Sequence, residues 1–538
     1  MATLRVDAVG GAGFVPDVEP WQLPASAWTF LQDVSVSENS LREPLWLTET
    51  IADSDAVPAD PFLNVFLHQS QGVFWYILCT ARKVYVSRGR ELIDITPAGK
   101  VFRATLQDRW QASSLNGFLI LNNTWDEPHY WALEAEPGSE APLLAPLSSY
   151  PGESPWTEGQ SCEFIVGFNN SLFAGNLKNS SGTFPFLVAF SDFAEPGTLP
   201  QKWAAAPDNS AGRRDLAEGQ DAIVGALPYK DVLFVRKRNS VYMFKFTGGQ
   251  FVYQRVVQTD QVSLINRHCM VNTDRFQIAV GDNDIMVTQG QAHESVVHNK
   301  TKRWFFDNLN KARLDQVFCL HFSLENEIWI LAPQGEAELV NVALIWNYVN
   351  NTFTTRSCRN VYGGTEGYGI DPKGFYSWLD LDPRTWLEWD DVWGLASAEI
   401  NQKRLLLTQG QNAGQTRRVL VSGGEGREVD EPEAYLERMH IPFPRGEIMD
   451  WESRKQIASV TPKFSLVDPS FYMDIWLGTQ DESGLPIKWH GPKRWVPGKK
   501  GVFFDKSGRF ISLYARVSSG QKFRLTGYDI EYKLTSKR

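Results

Sequence analysis

A hairpin that recurs at a nearly constant interval limits this chain to few architectures. It is clearest at Val232–Phe246, VLFVRKRNSVYMFKF, where an apolar run meets a short polar turn and an apolar, aromatic run leads back. Similar units begin at Val73 (VFWYILCTARKVYVSRG), Gly117 (GFLILNNTWDEPHYWAL), Cys162 (CEFIVGFNNSLFAGN), Arg275 (RFQIAVGDNDIMVTQG) and Val317 (VFCLHFSLENEIWILAP). The first three starts lie 44 and 45 residues apart, and Val232, Arg275 and Val317 lie 43 and 42 apart. Short antiparallel strands repeating every ~40–50 residues are what the four-stranded blade of a β-propeller produces. The expectation is an all-β chain whose residues 61–425 form a β-propeller of six or seven blades.

The flanks differ from the repeat. Residues 1–60 open with Gly10, Gly11, Gly13, Pro16, Pro20 and Pro24, which break regular elements, yet Trp21 and Trp28 carry too much apolar area to be left in water. The segment is expected to be an ordered, extended arm. After Gly424 comes REVDEPEAYLERMHIPFP, a charged run followed by prolines that reads as a short helix or an extended linker. Alternating segments follow, QIASVTPKFSLV, SFYMDIWLG, FISLYARVSS and FRLTGYDIEYKL. They predict a smaller antiparallel β platform domain over residues 426–538, with the N-terminal arm as an added strand.

Composition bears on partners and compartment. A formal charge of −10 argues against a main affinity for phosphate backbones. Cys79, Cys162, Cys269, Cys319 and Cys358 form no CxxC pair, so they read as reduced core residues of a chain folding in a reducing cytoplasm. The N-terminus lacks the apolar core of a signal peptide, and no stretch approaches the ~20 apolar residues of a membrane-spanning segment.

Propellers serve as enzymes and as binding proteins, so chemistry must be sought residue by residue. No G-x-x-x-x-G-K-[ST], H-E-x-x-H or G-x-S-x-G motif occurs, and the sialidase box S-x-D-x-G-x-x-W is missing. His293 and His298 fall on opposite faces of a strand and read as solvated histidines. RKR at Arg236–Arg238 and KTKRW at Lys300–Trp304 read as turn and rim charges. The best candidate site is WLDLDPRTWLEWDDVW: Trp378, Asp380, Asp382, Trp386, Glu388, Trp389, Asp390, Asp391 and Trp393. Its carboxylates fit glycoside hydrolysis or calcium ligation, with tryptophans as sugar platforms; the plainer reading is a surface or interaction loop.

Several segments resemble one family. The opening LRVDAVGGAGFVPDVEPWQLPASAWTFLQDV is similar to the start of tail nozzle proteins of short-tailed bacteriophages, also called tail tubular or head-to-tail stabilisation proteins. RNSVYMFKF, IMVTQG followed by HNKTKRWFFDNLN and LENEIWILAP, and AYLERMHIPFP match the same group. The resemblance implies a structural virion protein, a homo-oligomer with a hexamer expected, placed in the tail below the portal and adaptor and assembled in the host bacterial cytoplasm. Genomic DNA would pass through its lumen without sequence-specific binding, and fibres or spikes would attach outside. It implies no catalytic residue, metal or cofactor. Two other readings stand beside it: a propeller glycosidase or carbohydrate-binding tail component using Trp378–Trp393, and a monomeric lectin-like receptor binder.

Overall fold

In the computed structural model the hairpins are joined into a ring of sheets. The structure describes the chain outside residues 45–46, 50–59, 71–72, 88–91, 133–141, 219, 249–251, 260–262, 290–291, 369–402, 411–417, 423–432, 446–447, 519 and 536–538. Five four-stranded antiparallel sheets follow one another in sequence, starting at Asn64–Ser70, Gln111–Leu115, Ser161–Phe168, Ile223–Tyr229 and Met270–Asn272. A sixth comprises Phe318–Phe322, Glu327–Ala332, Val340–Asn347 and the first part of Thr352–Tyr368. The register shifts beyond Val361, and the rest of that strand opens a seventh sheet with Lys403–Gln409, Arg418–Ser422 and Leu47–Glu49.

The first strands of successive sheets lie side by side around the ring. Closure is made where Gly363 of the seventh sheet approaches Leu63 and Asn64 of the first, and Asn64 Nδ2 in turn reaches toward the second sheet, donating to the Trp110 carbonyl at 3.2 Å. The expected six or seven blades are thus seven sheets among the described residues. Each blade is covered on both faces by its neighbours. For that reason Leu233–Lys237 and Glu327–Ala332 are buried at every position, and within them Leu233–Val235 and Ile328–Ala332 appear in the sequence as unbroken apolar runs rather than alternating ones.

The repeated hairpin is not always the same pair of strands. It is the second and third strand of the blade at Val73, Phe118, Val232 and Gln277, but the first and second at Ser161 and Phe318. In the third sheet the third and fourth strands, Gly182–Phe190 and Gly212–Asp215, are separated by a long connection, which is where the interval in the sequence is skipped.

The remaining strands make two sheets packed on each other. One has the order Val502–Gly508, Lys455–Val467, Phe523–Leu534, Ser40–Arg42, Ser35–Ser37, with Ala2–Asp7 also paired to Phe523–Leu534. The other has the order Phe30–Gln32, Ala434–Arg438, Phe510–Val517, Met473–Gln480, Lys488–Trp495. Ile457, Val460, Leu525 and Ile530 from the first share one core with Leu436, Leu477, Leu513 and Ala515 from the second.

Two local readings are corrected. Ala434–Arg438 is neither helix nor linker but a strand with alternating burial, held between Phe30–Gln32 and Phe510–Val517. The α-helix among the described residues is instead Lys302–Asn308, inside the basic cluster read as a turn. Its Phe305 and Phe306 are buried, and Trp304 packs on the arm, so three adjacent aromatics, not the flanking charges, decide the conformation.

Candidate functional site at the propeller and sandwich joint

The sequence-predicted site residues, Trp378, Asp380, Asp382, Trp386, Glu388, Trp389, Asp390, Asp391 and Trp393, lie outside the described residues. The structure directs attention elsewhere, to the joint where the N-terminal arm threads between propeller and sandwich.

The glycines of the arm are explained by close backbone contact. A Cβ on Gly10 would lie 2.1 Å from the Ser37 carbonyl oxygen, and one on Gly13 would lie 2.8 Å from that of Phe353, with Gly13 at φ +65°. The chain then pairs Gly13–Phe14 in parallel with Ala27–Trp28. Phe14 is fully buried, edge-on to Trp304 at 5.0 Å and to Phe30 at 6.3 Å. Trp28 is also buried, and its Nε1 donates to the Val9 carbonyl at 2.8 Å. Trp21 stays at the surface, stacked on His440.

Polar side chains fasten the arm on both sides. The Asp17 carboxylate accepts the backbone N–H groups of Arg303 and Trp304 at 2.6 and 2.9 Å, the orphan donors of the short helix. Asp33, buried, accepts from the Ser357 backbone and hydroxyl at 2.9 Å; burial raises its pKa, and the Arg356 charge opposes that rise. Arg438, fully buried, donates to the carbonyls of Pro20, Leu23 and Pro24 at 3.0–3.3 Å, and burial lowers its pKa to about 10, so it remains a cation at neutral pH. Beside this joint, Pro16, Asp17, Glu19, Arg303 and Asp307 line a cavity of about 360 Å³.

A second polar cluster joins segments of several blades. Arg109, buried, donates to the carbonyls of Tyr362, Asp315 and Val317, and its guanidinium lies 4.8 Å from the Phe318 ring centre. Arg267 donates to the Arg109 carbonyl at 2.5 Å and to Glu163 at 2.9 Å. Two arginines thereby tie together segments of five blades, and burial lowers the Arg109 pKa to about 10.

The cluster Arg236–Arg238 is only partly at the rim. Arg236 is buried and bonds Gln277 and Thr288 of the next blade, while Lys237 is buried against the Leu216 and Glu218 carbonyls and Asp221. His293 is half-buried and hydrogen-bonded to Thr288, and burial lowers its pKa; His298 is exposed. The five cysteines are all buried, and none is in a disulfide. Among the described residues no group of three or more His, Cys, Asp or Glu side chains is placed to hold a metal.

The comparisons add little to this geometry. No family model matches the chain, and no curated protein does. Solved structures that it resembles include PorZ, a surface component of the type-IX secretion system of Porphyromonas gingivalis (TM-score 0.34, 9% identity, 77% of this chain and 44% of that one). Others are the Cps50 (Swd1) β-propeller domain of Myceliophteria thermophila (0.37, 9%, 71% and 100%) and BBS1N in complex with ARL6DN (0.37, 10%, 71% and 99%). The chain spans less than half the length of PorZ.

Sequence reasoning did not single out Asp17, Asp33, Arg109, Arg267 or Arg438. None belongs to a recognisable motif, and their partners, mostly backbone groups, with the Glu163 carboxylate and the Ser357 hydroxyl beside them, are brought near by the fold. The signal that was available is the density of Trp and Gly in the arm.

Proposed function

We propose that this chain is the tail nozzle of a short-tailed bacteriophage, a structural protein that forms a ring, a hexamer in this reading, below the portal and adaptor. Its bore would conduct the genome, and its outer surface would carry fibres or spikes. The observation that carries the reading is where the resembling segments lie. The opening Leu4–Val34, the helix segment His298–Asn310, the strand Glu327–Ala332 and the strand Ala434–Arg438 are far apart in sequence, yet all contribute to one joint through Phe14, Trp304, Asp17, Ile328 and Arg438. These four resembling segments fall on residues that fix two domains as one body, which is what a subunit of a load-bearing ring requires, while RNSVYMFKF packs between the third and fourth blades through Tyr242 and Phe244.

The test is electron microscopy of particles purified from cells in which a tagged copy of the chain replaces the untagged one. The expected result is tag density on a sixfold ring at the tail; absence of the chain from tailed particles would refute the proposal.

A further inference from the structure

We propose that the adjoining edge strands of the sandwich's two sheets, Lys488–Trp495 and Val502–Gly508, dock on the phosphate backbone of double-stranded DNA. Residues 488–509 hold seven basic residues and one acid, Asp505, so this segment carries +6 in a chain of −10. Among the described residues each of the two strands is paired on one edge only, to Met473–Gln480 and Lys455–Val467 respectively. Lys493 links them by donating to the Phe503 carbonyl.

The charges are available. Asp474 engages Arg494 at 2.8 and 3.0 Å, whereas among the described residues Lys488, Lys493, Lys499, Lys500 and Lys506 meet no carboxylate. Asp505 is engaged by Gln456. The two strands bring their cations together: besides burial, the charges of Lys506 and Lys488 hold His490 below its usual range. Trp489 is 37% exposed and Phe503 63% exposed on these strands.

The form of the patch fits a line charge. A strand of eight residues extends about 26 Å, and duplex DNA presents one charge per ~1.7 Å of its axis. The choice of DNA over another polyanion rests on the proposed nozzle function; the row of cations does not. The rival explanation is that lysines on free strand edges keep sheets of different molecules from pairing.

The test uses the full chain and a fluorescent 20-base-pair duplex of arbitrary sequence, with affinity read by anisotropy between 50 and 200 mM salt. Binding at 50 mM that weakens with salt is expected. The variant Lys488→Gln, Lys500→Gln, Lys506→Gln should bind about tenfold more weakly at 50 mM, with a slope of log affinity against log salt reduced by about 2.7. Changing Lys230 and Lys311 of the propeller to Gln should leave affinity unchanged. Wild-type affinity in the triple variant, or no binding by the unaltered chain, would overturn the proposal. So would a triple variant that self-associates while binding DNA normally, which would make the lysines edge guards. Salt-dependent self-association of the wild type that DNA does not compete would make a second copy the occupant, against the proposal. Because the readout needs only the isolated chain, its failure leaves the imaging test of the nozzle reading standing.

Discussion

Single buried ionisable residues make sharp claims about this protein. Glu327 opens the second strand of the sixth blade, is buried, and accepts from the Trp329 indole at 3.0 Å. Burial raises its pKa from 4.5 to about 7. Between those values the folded chain keeps a proton that the unfolded chain has released. Its contribution is therefore complete at acid pH and is lost as pH rises to about 7, by about 3 kcal/mol at most. His68, His129 and His268 act oppositely: burial lowers their pKa, so their contribution is present above about 6.5 and lost as pH falls. Comparing variants isolates one group. Glu327→Gln should melt higher than the wild type at pH 8, and the gap should close at pH 5; an equal gap at both values would show that the carboxyl is ionised throughout. Arg438 makes a different claim, because truncation leaves the carbonyls of Pro20, Leu23 and Pro24 buried without a donor. Arg438→Met should cost about 2–4 kcal/mol. Limited proteolysis should then cut within residues 16–24, ahead of any cut in the propeller.

At the scale of elements, the closing strand is the one most open to test. Leu47–Glu49 supplies the outer strand of the seventh sheet, and Leu47 is buried among Phe318, Leu320, Leu405 and Leu420. Leu47→Ala should cost about 2–4 kcal/mol. Amide exchange should accelerate in Arg418–Ser422 and Lys403–Gln409 but not in the sandwich strands; uniform acceleration would mean that the strand does not close the ring. This strand also shows where the sequence stops being legible. Three residues carry no periodicity, and the partner at Leu420 is set by the return of the chain after all the other blades. By contrast the hairpins were readable, because each is local and buried on both faces. The helix Lys302–Asn308 was missed because its flanking lysines and arginine resemble a solvated turn, although Phe305 and Phe306 determine its packing. The joint was legible only in part. Trp28 and the glycines marked an ordered arm, but nothing near Asp17 or Arg438 in sequence announces that each will hold backbone from a segment hundreds of residues away.

For the whole molecule, the apolar core decides how the two domains respond to load. One continuous cluster runs from Ile278, Ile328 and Leu344 of the fifth and sixth blades, through Phe14, Trp28 and Leu31 of the arm, to Leu436, Leu513 and Ile530 of the sandwich. Domains joined by such a core unfold together, since exposing one face of the joint exposes the other. Calorimetry of the wild type should therefore show one transition, not separate ones for propeller and sandwich. Phe14 is the residue to alter, because its ring meets Trp304 on the propeller side and Phe30 on the sandwich side. Phe14→Ala should cost about 3–5 kcal/mol, and the loss should fall on the joint rather than on either domain's interior. The expected trace for this variant has two transitions, with the sandwich melting first because it takes Ala2–Asp7 and the antiparallel pairing of Phe30–Gln32 from the arm, whereas the propeller meets Phe30–Gln32 through the single pair Gln32 and Thr355. A variant that shifts to lower temperature as a single transition would mean that the other contacts of the joint, Asp17 on the helix and Asp33 on Ser357, suffice to keep the two domains one body.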